Sequence, residues 1–503
     1  MKDSKIKEKI VKMYIIIIVT IMPFYYENGY LNMTYAKAKF AWIVGGMLLI
    51  LFLVLSLSHT KKYIKYYKRE CGMSNRKKLG LSLIDISIFL FWVSVWCSVI
   101  FGIDPYLAFW GNAGWYMGAF TLTILVLSYF VISRNIKWDI AMSLVAFVSV
   151  IVICFNGVLF SFHIDLFHLH QGIKNSFYDY ITTIGNVNWY VGLLSMVFPM
   201  SCLAYMGIKK RFFRVGFCLY LDLVFYNMIV CKSNGIFLSL IAVLFVIVLY
   251  LMEYKEHYCR VKILLLNLCS VCGLVWGIQT YYQGEYISLD SMFQYIITKK
   301  IWLYIEVGII GYMILVKSIC RYGKERKLIV FNKRSKSDKE NSCKFACYLI
   351  MLIGVGALLL YETSSFGDTW GSQRGELWIC TIHMFMMGKL KYQIWGCGCD
   401  CFGVIFMKFY ENYADIPCLN AHNEFLQYLV TTGIVGVISF CLIWISVIYT
   451  FYNHQTHSNK EWILFSGLMG YLGQMIVNNP QALNYAILFL LLALYNNEIE
   501  KRI

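Results

Sequence analysis

Residues 420–440 read NAHNEFLQYLVTTGIVGVISF, and their character changes once along the way. Up to Gln427 the stretch is mostly polar, while residues 430–450 carry no charge at all. About 20 such residues in a helix cover the ~30 Å hydrocarbon core of a bilayer. Asn423 is placed to cap that helix, because its side-chain oxygen can accept from a free first-turn N–H. The pattern predicts one helix running unbroken from Asn423 into a membrane span.

Working outward, the same apolar signature recurs at 13–25, 40–58, 81–101, 116–133, 138–160, 186–207, 215–231, 235–252, 263–283, 301–316, 345–360, 462–478 and 482–495. With 430–450 this predicts an all-α polytopic membrane protein of about 14 transmembrane helices. Lipid leaves backbone amides no partner outside their own helix. Composition agrees: of 503 residues 59% are hydrophobic and 15% charged, and mean hydropathy is +0.61, which excludes a soluble enzyme. No repeat of 20 to 50 residues points to a solenoid.

The excess of 45 Lys+Arg over 28 Asp+Glu gives a net charge of +17. In a soluble chain this would suggest nucleic acid; here topology accounts for it. With the N-terminus in the cytoplasm, 35 of those 45 residues fall in inside loops, as the positive-inside rule requires. Both termini are then cytoplasmic, and the basic runs from Lys61 and Lys324 meet the anionic inner leaflet. The opening MKDSKIKEKIVK followed by MYIIIIVTIM resembles a signal peptide, but PFYYENGY offers no small-residue cleavage site, so it reads as an uncleaved first span.

Asp85, Asp139, Asp222 and Glu306 lie in or near spans, where each needs a partner or a cavity. Most of the 18 cysteines fall in apolar runs and behave as small hydrophobes. Cys397, Cys399 and Cys401, with Cys418 further on, match no common zinc spacing.

Loop lengths are more telling. Residues 361–429 form one long outer segment between a bundle at 1–360 and the C-terminal helices at 430–503, too long for a mere connection. In it, Ser372 can cap a helix starting at Gln373, with an apolar face of Leu377, Trp378, Ile382 and Phe385, that stops at Gly388. Arg374 then occupies the first turn, where a cation opposes the macrodipole by ~0.3–1 kcal/mol. A bound anion would explain its placement; snorkelling to lipid headgroups is the alternative. Further on, Gly396 and Gly398 suit a tight turn, and Phe402, Phe406 and Phe409 are placed to pack on the membrane surface. His422, at the start of the Asn423-capped helix, should stay neutral near pH 7 because the positive helix end disfavours imidazolium. Alone it reads as a structural histidine; paired with Arg374 it completes what transfer from a diphosphate leaving group requires.

These residues carry a resemblance. SQRGELW at 372–378, WGCGCDCF at 395–402 and AHNEFLQYLVTTGIVGVISF at 421–440 follow the order of motifs in the O-antigen ligase and polymerase-like family of bacterial membrane glycosyltransferases. GNVNWYVGLLSMVFP at 185–199 is similar to that family's GNxN segment, and FGIDPYLAFWGNAGWYMG at 101–118 resembles another of its outer loops. The resemblance implies a GT-C-like fold in the bacterial cytoplasmic membrane. It also implies a polyprenyl-diphosphate-linked glycan as donor, a glycan, lipid or wall-polymer hydroxyl as acceptor, and no cofactor or metal. Carried over, Arg374 holds the diphosphate, His422 activates the acceptor or assists proton transfer, and Gln373, Asn423, Glu424 and Gln427 shape the substrate site.

Two positions depart from the family pattern. Where an SRG-type sequence is common, this chain has Lys232-Ser233-Asn234-Gly235, so Asn234 replaces an arginine and Lys232 is left to supply the charge, as a point rather than a fork. Thr431 stands where an acid often precedes the GIxG turn. The competing readings are a lipid-linked oligosaccharide flippase and a non-catalytic protein of envelope assembly.

Overall fold

The computed structural model describes residues 2–29, 32–67, 81–136, 138–169, 182–233, 235–282, 289–325, 370–410, 418–454 and 456–500. Among them there is no strand. The helices are α1 (Lys2–Thr20), α2 (Met33–Tyr67), α3 (Leu83–Phe101), α4 (Pro105–Trp110), α5 (Ala119–Asn135), α6 (Ile140–Ser161), α7 (Val187–Gly207), α8 (Arg211–Val230), α9 (Gly235–Glu253), α10 (Tyr258–Tyr282), α11 (Ser291–Thr298) and α12 (Ile301–Glu325). After a gap in the description follow α13 (Trp370–Met386), α14 (Leu390–Trp395), α15 (Phe402–Phe409), α16 (Glu424–Thr431), α17 (Gly433–Asn453), α18 (Asn459–Met475) and α19 (Ala482–Glu500).

Thirteen of the expected apolar segments coincide with helices; the one at 345–360 lies outside the described residues. Nine of the described helices are long and apolar enough to cross a membrane, fewer than the 14 expected. Part of the difference has a physical reason. α18 packs between α7 and α9 rather than against lipid, so protein covers its polar groups and it needs less hydropathy than a lipid-facing span. Its Gly470 and Gly473 let the backbones close in: a Cβ would stand 2.1 Å from the Ser195 carbonyl oxygen on α7 and 2.5 Å from the Leu238 carbonyl oxygen on α9. Small residues serve helix contacts in membranes this way.

Three of the four acids in or near spans are paired. Asp85, in the capping box that starts α3, accepts from Tyr129 Oη at 2.7 Å, Asn496 Nδ2 at 3.0 Å and Arg134 Nη1 at 2.9 Å. Asp139 caps α6 and takes Lys12 Nζ at 2.7 Å. Asp222 accepts from Asn267.

The ends of α3, α8 and α18 and the starts of α5, α7, α9, α17 and α19 border the loops around the candidate site. There the expectation of one continuous helix from Asn423 is corrected. Asn423 is the cap, accepting from Leu426 N at 3.0 Å, but α16 stops at Thr431 and α17 begins afresh at Gly433, which has φ +71°. The cause is the glycine turn at 396–398, which passes through the break. Cys397 N donates to Val430 O at 3.0 Å and Gly398 N to Thr431 O at 3.1 Å, using carbonyls that an unbroken helix would bond internally. Gly396, at φ +84°, has no room for a Cβ, which would lie 2.2 Å from Thr431 O.

Candidate functional site

α13 is already helical at Trp370, ahead of the expected cap at Ser372, so Arg374 sits beyond the first turn. Its buried face is formed by Leu377, Cys380, Thr381 and Met384, while Ile382, expected to point inward, is exposed. The following turn ties several loops together. Asp400 accepts from Asn112 N at 2.7 Å and Met117 N at 3.1 Å, Ile103 N donates to Cys397 O at 2.8 Å, and Cys399 N donates to Ser98 Oγ at 3.1 Å. Cys397, Cys399, Cys401 and Cys418 are free thiols. Phe402 and Phe406, expected on the membrane surface, are buried and stacked on each other at 5.5 Å between ring centroids; only Phe409 is exposed. Their neighbours on α13 and α16 offer more apolar contact than a surface position would.

Trp378 stands one helical turn beyond Arg374, on the same face of α13. Its indole Nε1 donates to Ala421 O at 3.1 Å, which fixes α13 against the loop that carries His422. That loop is built around side-chain bonds. Gln427, buried, reaches back so that its Oε1 accepts from Ala421 N at 2.9 Å, and Asn420 Oδ1 accepts from His422 N at 3.2 Å. His422 is held at φ +47°, a conformation that side chains other than glycine adopt sparingly.

Arg374 and His422 are thereby brought together. Burial, and next the Arg374 guanidinium, push the His422 imidazole down to about 4, so the ring is uncharged near neutral pH. Burial also pulls the Arg374 guanidinium below its ordinary value. Among the described residues no carboxylate or carbonyl accepts a hydrogen bond from it. A desolvated cation without an anion is costly, and a bound phosphate would relieve that cost.

The other expected residues divide. Asn423 and Gln427 shape the His422 loop, as cap and as brace. Glu424, expected to touch substrate, is instead fully buried, and its two oxygens accept from Tyr471 Oη at 2.8 Å and Tyr485 Oη at 2.6 Å. Burial pushes its carboxyl up to about 8. It anchors α16 to α18 and α19. Lys232 is exposed at φ +61° and pairs with neither Arg374 nor His422 among the described contacts; its neighbour Ser233 donates to Asn188 Oδ1 at 2.8 Å. Gln373 is a position of α13, and Asn234 lies outside the described residues.

Sequence reading missed the loop between α18 and α19. Asn479 Nδ2 lies 3.1 Å from His422 Nδ1. Its neighbour Asn478 donates through Nδ2 to Asn188 O and to Gln474 Oε1, both at 2.7 Å. The signal was an asparagine pair in NNPQ at 478–481, which on its own reads as an ordinary turn.

The family model described as O-antigen ligase matches residues 192–441, a span that holds Lys232, Arg374 and His422 but not Asn479. No curated protein and no solved structure matches the chain.

Proposed function

This chain belongs to the O-antigen ligase-like family of membrane glycosyltransferases, and from that membership and the site at Arg374 and His422 we propose that it moves a glycan from a polyprenyl-diphosphate donor to a hydroxyl acceptor on the outer face of the bacterial cytoplasmic membrane. Its termini are then cytoplasmic, in keeping with the distribution of basic residues. Neither a nucleotide sugar nor a metal enters the proposed reaction. The acceptor oxygen bonds to the anomeric carbon while the bond from that carbon to the diphosphate breaks, with inversion. Arg374 holds the diphosphate and stabilises the charge that collects on it as it leaves; the uncharged His422 assists at the same reacting centre.

One observation carries this reading: a desolvated arginine with no described anionic partner stands beside a histidine that it helps keep neutral. An anion clamp next to an uncharged imidazole suits a leaving group that departs with negative charge. The test uses membranes containing wild type, Arg374→Ala or His422→Ala, with equal insertion checked by protease accessibility. Both variants are expected to lose covalent transfer of a lipid-linked glycan. Full activity in either removes that residue from the mechanism, and movement of donor across the bilayer without bond formation indicates a flippase instead.

A further inference from the structure

The contact between Asn479 and His422 bears on which ring nitrogen meets the substrate. A neutral imidazole carries one N–H and one lone pair, and the partner of one nitrogen decides the role of the other. The group facing Nδ1 is an amide nitrogen, 3.1 Å away. An amide nitrogen donates and cannot accept, so Nδ1 supplies the lone pair and the ring hydrogen resides on Nε2.

The orientation of the amide is supported from both sides. Asn479 is buried, and its backbone N donates to Asn478 Oδ1 at 2.9 Å, while Asn478 is itself held by Gln474 and Asn188. Asn479 Oδ1 is buried without a partner where it stands. Turning the amide over would put the NH2 group, with its two donors, in that same unpartnered place. A buried orphan N–H is rarer in proteins than an under-used carbonyl oxygen.

We propose that Asn479 is a positioning residue that keeps the ring hydrogen of His422 on Nε2, so that the imidazole acts as a hydrogen-bond donor to the departing diphosphate beside Arg374. The role rests on the transfer reading above; the tautomer does not. In the balanced step, the acceptor oxygen forms its bond to the anomeric carbon and the electron pair of the breaking bond goes to the diphosphate oxygen. The acceptor's proton passes to water on the face opposite the diphosphate, since an inverting displacement holds acceptor and leaving group on opposite sides of the anomeric carbon. Arg374 and His422 Nε2–H then face one developing anion from two directions, and no imidazole lone pair is consumed.

The decisive measurement is the 15N spectrum of ring-labelled histidine in the full-length protein in lipid nanodiscs, with the His422 signals identified by their loss in His422→Gln. In wild type, Nδ1 is expected to be pyridine-like and Nε2 pyrrole-like; the opposite pattern, an averaged pair or imidazolium at neutral pH overturns the proposal. Asn479→Asp, whose carboxylate accepts from Nδ1–H, is expected to reverse the pattern, and an unreversed spectrum in a folded variant overturns the positioning role. Transfer rates test the donor role separately. His422→Ala is expected to lose about 10²–10³ in kcat, the typical effect of removing one donor to a developing oxyanion, and His422→Gln, which keeps an N–H without a basic lone pair, to recover at least about tenfold of that loss. A Gln variant as inactive as Ala overturns the donor role. Absence of transfer by wild type itself counts against the transfer reading and leaves the tautomer result standing.

Discussion

Trp378 and Ala421 are joined by a single hydrogen bond, indole Nε1 to backbone oxygen at 3.1 Å, one helical turn beyond Arg374 and one residue ahead of His422. The bond ties α13, which carries Arg374, to the loop that carries His422. Trp378→Phe keeps most of the packing and removes the donor. It should cost only about 1 kcal/mol of stability but about 10² in transfer rate, because small misplacements of reacting groups are expensive. Thermal unfolding and initial rates on the same preparation check this. Equal rates in variant and wild type would show that the tether does not set the site.

In the proposed reaction Arg374 would grip the diphosphate with a planar fork, which a lysine cannot reproduce. Arg374→Ala is expected to lose about 2.7–4 kcal/mol of transition-state stabilisation. Arg374→Lys should recover only part of it, with kcat more affected than KM. If Lys matches Arg, the contact is a simple point charge.

The His422 ring is uncharged near neutral pH. Burial, and after it Arg374, hold the ring at about 4, against 6.5 in an unfolded chain. Between those values the unfolded chain binds a proton that the folded chain refuses, so this group lowers stability as pH falls from about 6.5 to about 4. Transfer itself should show no histidine-type loss from pH 7 down to 5. In Arg374→Met the cation no longer opposes protonation, and an NMR titration should find the His422 pKa raised. An unchanged pKa would mean that Arg374 does not act on the ring.

Glu424 gives the opposite sign. Burial raises its carboxyl to about 8, against the donated bonds of Tyr485 and Tyr471, from 4.5 in an unfolded chain. Between those values the folded chain keeps a proton that the unfolded chain has lost, so stability falls as pH rises from about 4.5 to about 8. Glu424→Gln should flatten that slope in Tm measured across the window. A slope equal to that of wild type would place the titration elsewhere.

Much of the architecture was legible because hydropathy reports burial in lipid directly, as at Gly235–Glu253 and Gly433–Asn453. It says less where protein covers protein: Gln474 and the glycines lower the hydropathy of α18 below that of a lipid-facing span, although its apolar run at 462–478 was still legible. Arg374 stood out for an expected first-turn cost that the earlier helix start at Trp370 removes, and His422 only once it was paired with Arg374; the burial that makes both costly was not readable. The break at Gly433 did not, since TTGIVG fits a helix locally and only the 396–398 turn, some 35 residues away, takes the carbonyls of Val430 and Thr431. Glu424 could equally face substrate or core by its spacing; the tyrosines that claim it lie on α18 and α19. Asn479 was hidden for the same reason, a partner brought in from a distant turn.

The proposed reaction couples departure of the diphosphate to formation of the glycosidic bond. Purified protein in liposomes, supplied with a synthetic polyprenyl-diphosphate oligosaccharide and a hydroxyl-bearing glycan acceptor, allows both products to be counted. One polyprenyl diphosphate should be released for each glycosidic bond made, and neither product should form with Arg374→Ala. Bond formation undiminished in Arg374→Ala, or wild-type protein that shifts donor across the bilayer with no diphosphate released, would contradict the proposed reaction.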